Sequence, residues 1–205
     1  EGAPQGNGLT QRDLLVDVTE RKRQTIALGA SASTSDGYGL DGERELRNLS
    51  VRGDSINVAA QLATLERRLE TTWRRPNIKR YGRNIRLSVK IEDFETDAFD
   101  QSGASVSATV EEQLTPRVRG SIGGEFGYAS TLEDKARAEG EDRTNVYILS
   151  STGTLEYVGV RDVLDPQAGV RARVTAEPGL TYGDANIGFA RLTGEASAYF
   201  DLSEN

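Results

Sequence analysis

Residues Asn84 to Leu114 read NIRLSVKIEDFETDAFDQSGASVSATVEEQL, and the fold turns on this stretch. Ile85, Leu87, Val89 and Ile91 alternate with Arg86, Ser88, Lys90 and Glu92. Successive strand side chains point to opposite faces, so one face is aliphatic and the other charged or hydroxylated. After the polar loop ETDAFDQSG the pattern returns, with Val106, Ala108 and Val110 against Ser105, Ser107, Thr109 and Glu111, which predicts a β-hairpin. A soluble sandwich buries the aliphatic face of such a ribbon, whereas a membrane barrel turns it to lipid and the charged face to its lumen.

Composition narrows the classes. The chain has 205 residues, a length that one all-β domain can fill. Only 36% of residues are hydrophobic, and mean hydropathy is −0.53. No run of eighteen apolar residues occurs, which excludes a helical membrane span but not a barrel, whose strands are only half apolar. Net charge is −7, with 25 basic residues scattered among 32 acidic ones, so no nucleic-acid partner is expected. Cysteine and histidine are both absent. Nucleophilic triads and histidine zinc sites are thereby removed, leaving carboxylate, lysine or tyrosine chemistry with no motif to support it. The expectation is no enzyme and no cofactor. A chain that opens on Glu1 with no methionine is expected to be processed or excised from a longer one.

Along the chain, residues 1–22 read as a disordered lead-in followed by the stub of a preceding domain, with a short strand at Asp13–Val18 and a charged hinge at Glu20–Arg23. Residues 23–205 read as strands of a β-barrel. Asp36-Gly37 marks a hairpin into Gly39–Asn48, and Arg52-Gly53-Asp54 turns into Ser55–Leu65. Leu69–Arg75 ends at Pro76. Beyond the central hairpin come Arg117–Tyr128, a charged loop at Ala129–Thr144, then Asn145–Val158, Val170–Tyr182 and Asn186–Leu202. That makes about ten antiparallel strands of about ten residues each, the length that crosses a bilayer at a barrel's tilt. The turns at Val51–Ser55 and Thr115-Pro116 fall on one side and the long Ala129–Thr144 loop on the other, the asymmetry of outer-membrane barrels.

The charged face is the candidate functional surface. Arg86, Lys90, Glu92, Glu111, Arg117, Arg119, Arg171, Arg173, Arg191 and Glu195 project from the side opposite the aliphatic residues, which suits a wet lumen or a solvated surface. The apolar side is rich in Ala and Gly, thin filling for a sandwich core. Glu92, Asp93, Glu95, Asp97 and Asp100 offer oxygens to a hard cation, but their spacing matches no calcium loop, so they read as solvated charge. Trp73, Tyr81, Phe94, Phe99 and Tyr128 fit interfacial girdles as well as ordinary half-buried positions.

The segment VDVTERKRQTIALGASASTSDGYGLDGERELRNL, Val16 to Leu49, resembles the junction between the last periplasmic domain and the first two barrel strands of the TamA-like bacterial surface antigen family, outer-membrane assembly proteins related to BamA. The likeness continues through Arg74–Asn77, the central hairpin, Leu164-Asp165-Pro166 with Gly169, and the ending Ala198-Tyr199-Phe200. It covers nearly the whole chain from residue 13.

The resemblance implies a sixteen-stranded barrel that helps other barrels or autotransporters into the bacterial outer membrane, with the weak seam between first and last strands as a lateral gate for client polypeptides. Thr25, Ile26, Ala27, Leu28, Gly29, Ala30 and Ser31 match its first strand. About six barrel strands and the family's inward Val-Arg-Gly-aromatic loop motif have no counterpart here; Val51-Arg52-Gly53 is a plain turn. The chain is therefore expected to be part of the larger barrel, a shortened one closed between its first and tenth strands, or a sheet completed by a second chain. A small outer-membrane channel with a charged lumen and a soluble β-sheet binding protein are the alternatives.

Overall fold

The computed structural model describes residues 17, 22–33, 37–50, 52–96, 98–133, 142–160, 162, 164 and 167–200. Ten strands follow one another: β1 (Gln24–Ser33), β2 (Gly37–Arg47), β3 (Ser55–Ala63), β4 (Glu66–Arg75), β5 (Arg83–Glu95), β6 (Phe99–Thr115), β7 (Val118–Glu133), β8 (Thr144–Val158), β9 (Gly169–Gly183) and β10 (Gly188–Tyr199). Each pairs antiparallel with the next, giving a single ten-stranded meander in sequence order. The expected short strand at Asp13–Val18 lies outside the described residues, apart from Asp17.

Register confirms the two-faced reading of the central hairpin. Ile85, Leu87, Val89 and Ile91 stand opposite Val110, Ala108, Val106 and Ala104, while Arg86, Ser88, Lys90 and Glu92 stand opposite Thr109, Ser107, Ser105 and Gly103. A slip of one residue would exchange the faces, so the alternation itself fixes the pairing. Among the described residues only Ala129 and Val160 are buried apolar side chains, and no second sheet covers either face. The soluble-sandwich alternative therefore lacks the core that defines it.

Exposure runs opposite to that of a water-soluble sheet. Val89 and Ile91 are 52% and 55% exposed, whereas the side chains of Lys90 and Glu92, which alternate with them, are 34% and 28% exposed. A single layer shields one face only by curving around it, so the charged face lines the inside of the curve. Gly123 serves that curvature, because a Cβ there would stand 2.7 Å from Thr109 Oγ1 and 3.0 Å from the Ala108 carbonyl oxygen.

Three expectations are corrected. β1 and β10 do not pair with each other, so the sheet is not a ten-stranded barrel closed on itself. β6 begins at Phe99 and β7 runs to Glu133, both inside stretches that read as loop; cross-strand pairing carries these polar segments despite their composition. Thr96 closes the β5–β6 turn by accepting the Phe99 N–H on its hydroxyl at 3.1 Å. Because strands consume those residues, connections do not sort by length. β1, β3, β5, β7 and β9 begin at one rim, hereafter the entry rim, which carries turns 76–82 and 116–117; β2, β4, β6, β8 and β10 begin at the far rim, which carries turns 64–65 and 184–187.

Candidate functional site

The enclosed face is a lattice of paired charges and hydroxyls. Arg86 Nη2 lies 3.2 Å from Glu111, Lys90 Nζ 2.9 Å from Glu92, and Arg68 Nε 3.6 Å from the same Glu92. Thr72 and Ser88 share a hydrogen bond of 2.9 Å, and Thr154 and Thr175 one of 3.1 Å. Farther round, Arg173 Nη2 approaches Glu156 at 2.9 Å and Arg171 at 4.0 Å, so one carboxylate serves two guanidiniums. Arg191 reaches Glu177 at 3.8 Å, and Glu195 stands opposite Arg173. Apart from Lys90–Glu92, which lies within β5, these pairs link neighbouring strands on a wet surface, where each ion pair is worth about 0–1 kcal/mol.

All but one of the charged residues singled out from the sequence share this face. The exception is Arg117, which sits in the two-residue turn before β7, its backbone N–H on the Thr115 hydroxyl at 3.3 Å. The carboxylates weighed as a cation site are divided: Glu92 faces inward and pairs with Lys90, while Asp93 faces outward and meets Arg67 at 3.6 Å. Asp97 lies outside the described residues.

β1 forms the first edge of the sheet. It pairs with β2 from Gln24↔Leu46 to Ser33↔Gly37 and has no partner on its other side among the described residues. Every β1 residue except Gly29 is exposed. Its entry end is pinned by Arg47, whose N–H donates to the Arg23 carbonyl at 2.7 Å and whose guanidinium donates to Thr25 Oγ1 at 2.8 Å and the Lys22 carbonyl at 3.2 Å. Toward the far rim the side chains shrink to Ala30, Ser31, Ala32 and Ser33 opposite Leu40, Gly39, Tyr38 and Gly37. An unpaired strand edge is a template for another strand.

The outward face is apolar between two aromatic bands. On β8, Tyr147 and Tyr157 both point outward, with Leu149, Ser151, Gly153 and Leu155 between them. Ten residues of strand at a barrel's tilt span roughly 25 Å of height, the thickness of the apolar band on an outer-membrane barrel. Phe126 and Tyr128 join Tyr147 at the far rim, with ring centroids 6.2 and 5.4 Å away. Trp73 faces outward near the entry rim, and Tyr81 stands in the 76–82 turn. Phe94 and Phe99 sit on the enclosed side near the far rim instead. Tyr147, Tyr157 and Tyr182 escaped the sequence reading, although their spacing on alternating strands was a usable signal.

An aliphatic outer face, aromatic bands and an enclosed charged face define the wall of an outer-membrane β-barrel. The Omp85 superfamily domain matches residues 48–205, and the chain belongs to that superfamily. In fold it is similar to BamA from Haemophilus ducreyi lacking POTRA domains 1–3, at 14% identity and a TM-score of 0.71, covering 90% of this chain and 38% of that one. The chain thus spans well under half the length of that structure. No curated protein matches it. The superfamily is one of assembly and translocation barrels rather than enzymes, and its place is the bacterial outer membrane.

Proposed function

We propose that this chain is a wall of a larger outer-membrane barrel that helps other β-barrels or autotransporter polypeptides into the membrane, with the free edge of β1 as the strand on which a client pairs. Residues 1–22 are its lead-in and the end of a periplasmic domain, and residues 23–205 supply the barrel strands. Arg86, Lys90, Glu92, Glu111, Arg119, Arg171, Arg173, Arg191 and Glu195 line the lumen once further strands or a second chain complete the sheet. The observation that carries the reading is the edge strand itself: β1 is anchored at its entry end by Arg47 and bordered by small residues toward the far rim. A strand held at one end opens from the other, exposing its N–H and C=O groups to an incoming strand.

The test is the folding of a client barrel in liposomes that contain the purified protein. The expected outcome is several-fold faster client folding, with photocrosslinks to the client from Leu28→Cys and Ala30→Cys but not from Val89→Cys on β5. The sequence contains no other cysteine, so each label is unique. Steady ion conductance without acceleration would assign a channel instead.

A further inference from the structure

The two rims carry opposite charge. Residues 74–83, which hold the β4–β5 turn at the entry rim, contain five cations and no carboxylate. The far rim is lined by Glu66, Asp93, Glu95, Asp100, Glu133 and Asp184 against Arg67, Arg68 and Arg143. This turn is also preorganised. Asn77 and Lys79 hold left-handed backbone at φ 54° and 62°, the Gly82 N–H donates to Asn77 Oδ1 at 2.9 Å, and the Ile78 N–H donates to the Arg83 carbonyl at 2.8 Å. Left-handed backbone at a lysine is uncommon and is kept only where surrounding bonds enforce it. The result is a tip that presents Lys79, Arg80 and Tyr81, with Tyr81 93% exposed.

Four of the five cations border the lipid-facing surface, Arg74 standing opposite Arg86 on the inward face. Arg75 shares the outward face with Ile85 and lies two residues from the outward Trp73. Arg83 also faces outward, where Glu112 accepts both its guanidinium, at 2.9 Å, and that of Arg80. Glu112 and the Asp54 carboxylate, which the Trp73 side chain meets, offset two of these charges, and Arg75, Lys79, Arg80 and Arg83 still leave a net excess of positive charge beside an interfacial tryptophan. Basic residues next to aromatic anchors meet a membrane at the depth of its headgroups.

We propose that the 74–83 segment is an anchor for anionic phospholipid, its cations taking the headgroup phosphates of the leaflet at the entry rim while Trp73 sits at the acyl boundary. The proposal rests on the membrane reading above and adds a headgroup preference at one place on the barrel. It requires that anionic lipid be enriched beside Trp73 relative to zwitterionic lipid in the same vesicle.

Trp73 is the only tryptophan, so its fluorescence reports this site alone. The full chain is folded into vesicles of equal parts phosphatidylcholine and phosphatidylglycerol, with bromine on the acyl chains of one lipid or the other. Brominated phosphatidylglycerol is expected to quench Trp73 about twofold more than brominated phosphatidylcholine, because basic residues at the surface attract anionic headgroups. The excess is expected to vanish in 1 M NaCl and in the Arg75→Gln/Lys79→Gln/Arg80→Gln variant, and to persist in Arg171→Gln/Arg173→Gln on the enclosed face. Equal quenching by the two headgroups overturns the anchor and leaves the membrane reading standing. Quenching by neither lipid overturns both. If the triple variant does not fold, salt dependence of the unaltered chain decides the question.

Discussion

Asp54 shows how single residues set the entry rim. It is 5% exposed and sits in the turn ahead of β3, where its carboxylate accepts the Ser50 N–H at 2.8 Å. The Ser50 amide, joined by the Ser50 hydroxyl and the Trp73 side chain, holds its pKa below the ordinary 3.8, and outweighs burial, which acts the other way. A depressed folded-state pKa gives stability that is present above the unfolded value and lost as pH falls through the folded one. Thermal stability in detergent is expected to fall below pH 4, and Asp54→Asn to remove part of that acid sensitivity while lowering stability at neutral pH. At Gly123 the limit is steric. Gly123→Val drives a branched side chain into Thr109 and the Ala108 carbonyl and is expected to cost about 1–3 kcal/mol. Gly124→Ala, whose nearest neighbour beyond the adjoining residues is the Ser150 carbonyl oxygen at 3.7 Å, is expected to be tolerated. Urea titrations of the two variants in the same detergent compare them directly.

At the scale of the strand, each face has its own rule. Val89 and Ser107 stand on neighbouring strands but on opposite faces, Val89 outward and Ser107 inward between Ser88 and Glu125. Val89→Arg is expected to cost about 2–4 kcal/mol in a bilayer, the depth-dependent penalty for a guanidinium on the lipid side of a barrel. Ser107→Lys is expected to be near neutral, because Glu125 lies directly across from it on a wet surface. Equal costs would contradict the assignment of faces. Arg47→Ala tests the pinning of β1: amide exchange is expected to speed up at Thr25 and Ile26, next to the lost bonds, and to change little at Ser31–Ser33.

For the whole molecule the governing fact is the missing interior. Outward aliphatic side chains such as Leu28, at 84% exposure, need lipid, detergent or another apolar cover to offset their hydration cost. Cooperative β-structure by circular dichroism is therefore expected only with detergent or lipid present. A monodisperse folded species in plain buffer would sink the membrane assignment. The open sheet carries a second demand, since both β1 and β10 have an unpaired edge among the described residues. Completion of the sheet encloses the charged face and turns a curved wall into a lumen.

The local rules were legible in the residues. Strict alternation from Ile85 to Ile91 fixed strand, face and register, because a pleated backbone admits no other arrangement of period two. The absence of histidine and cysteine removed whole classes of chemistry, and the family likeness is written over residues 48–205. Alternation is blind to which face is inside, however, and a sandwich and a barrel wall write the same pattern. The folded sheet answers that, through the lower exposure of Lys90 and Glu92 beside the exposed Val89 and Ile91. It alone extended β6 and β7 into polar segments, since cross-strand hydrogen bonding is a property of neighbours and not of composition. It also brought Arg80 and Arg83 together with Glu112, some thirty residues away in the chain, because antiparallel pairing of β5 with β6 places those strand ends side by side.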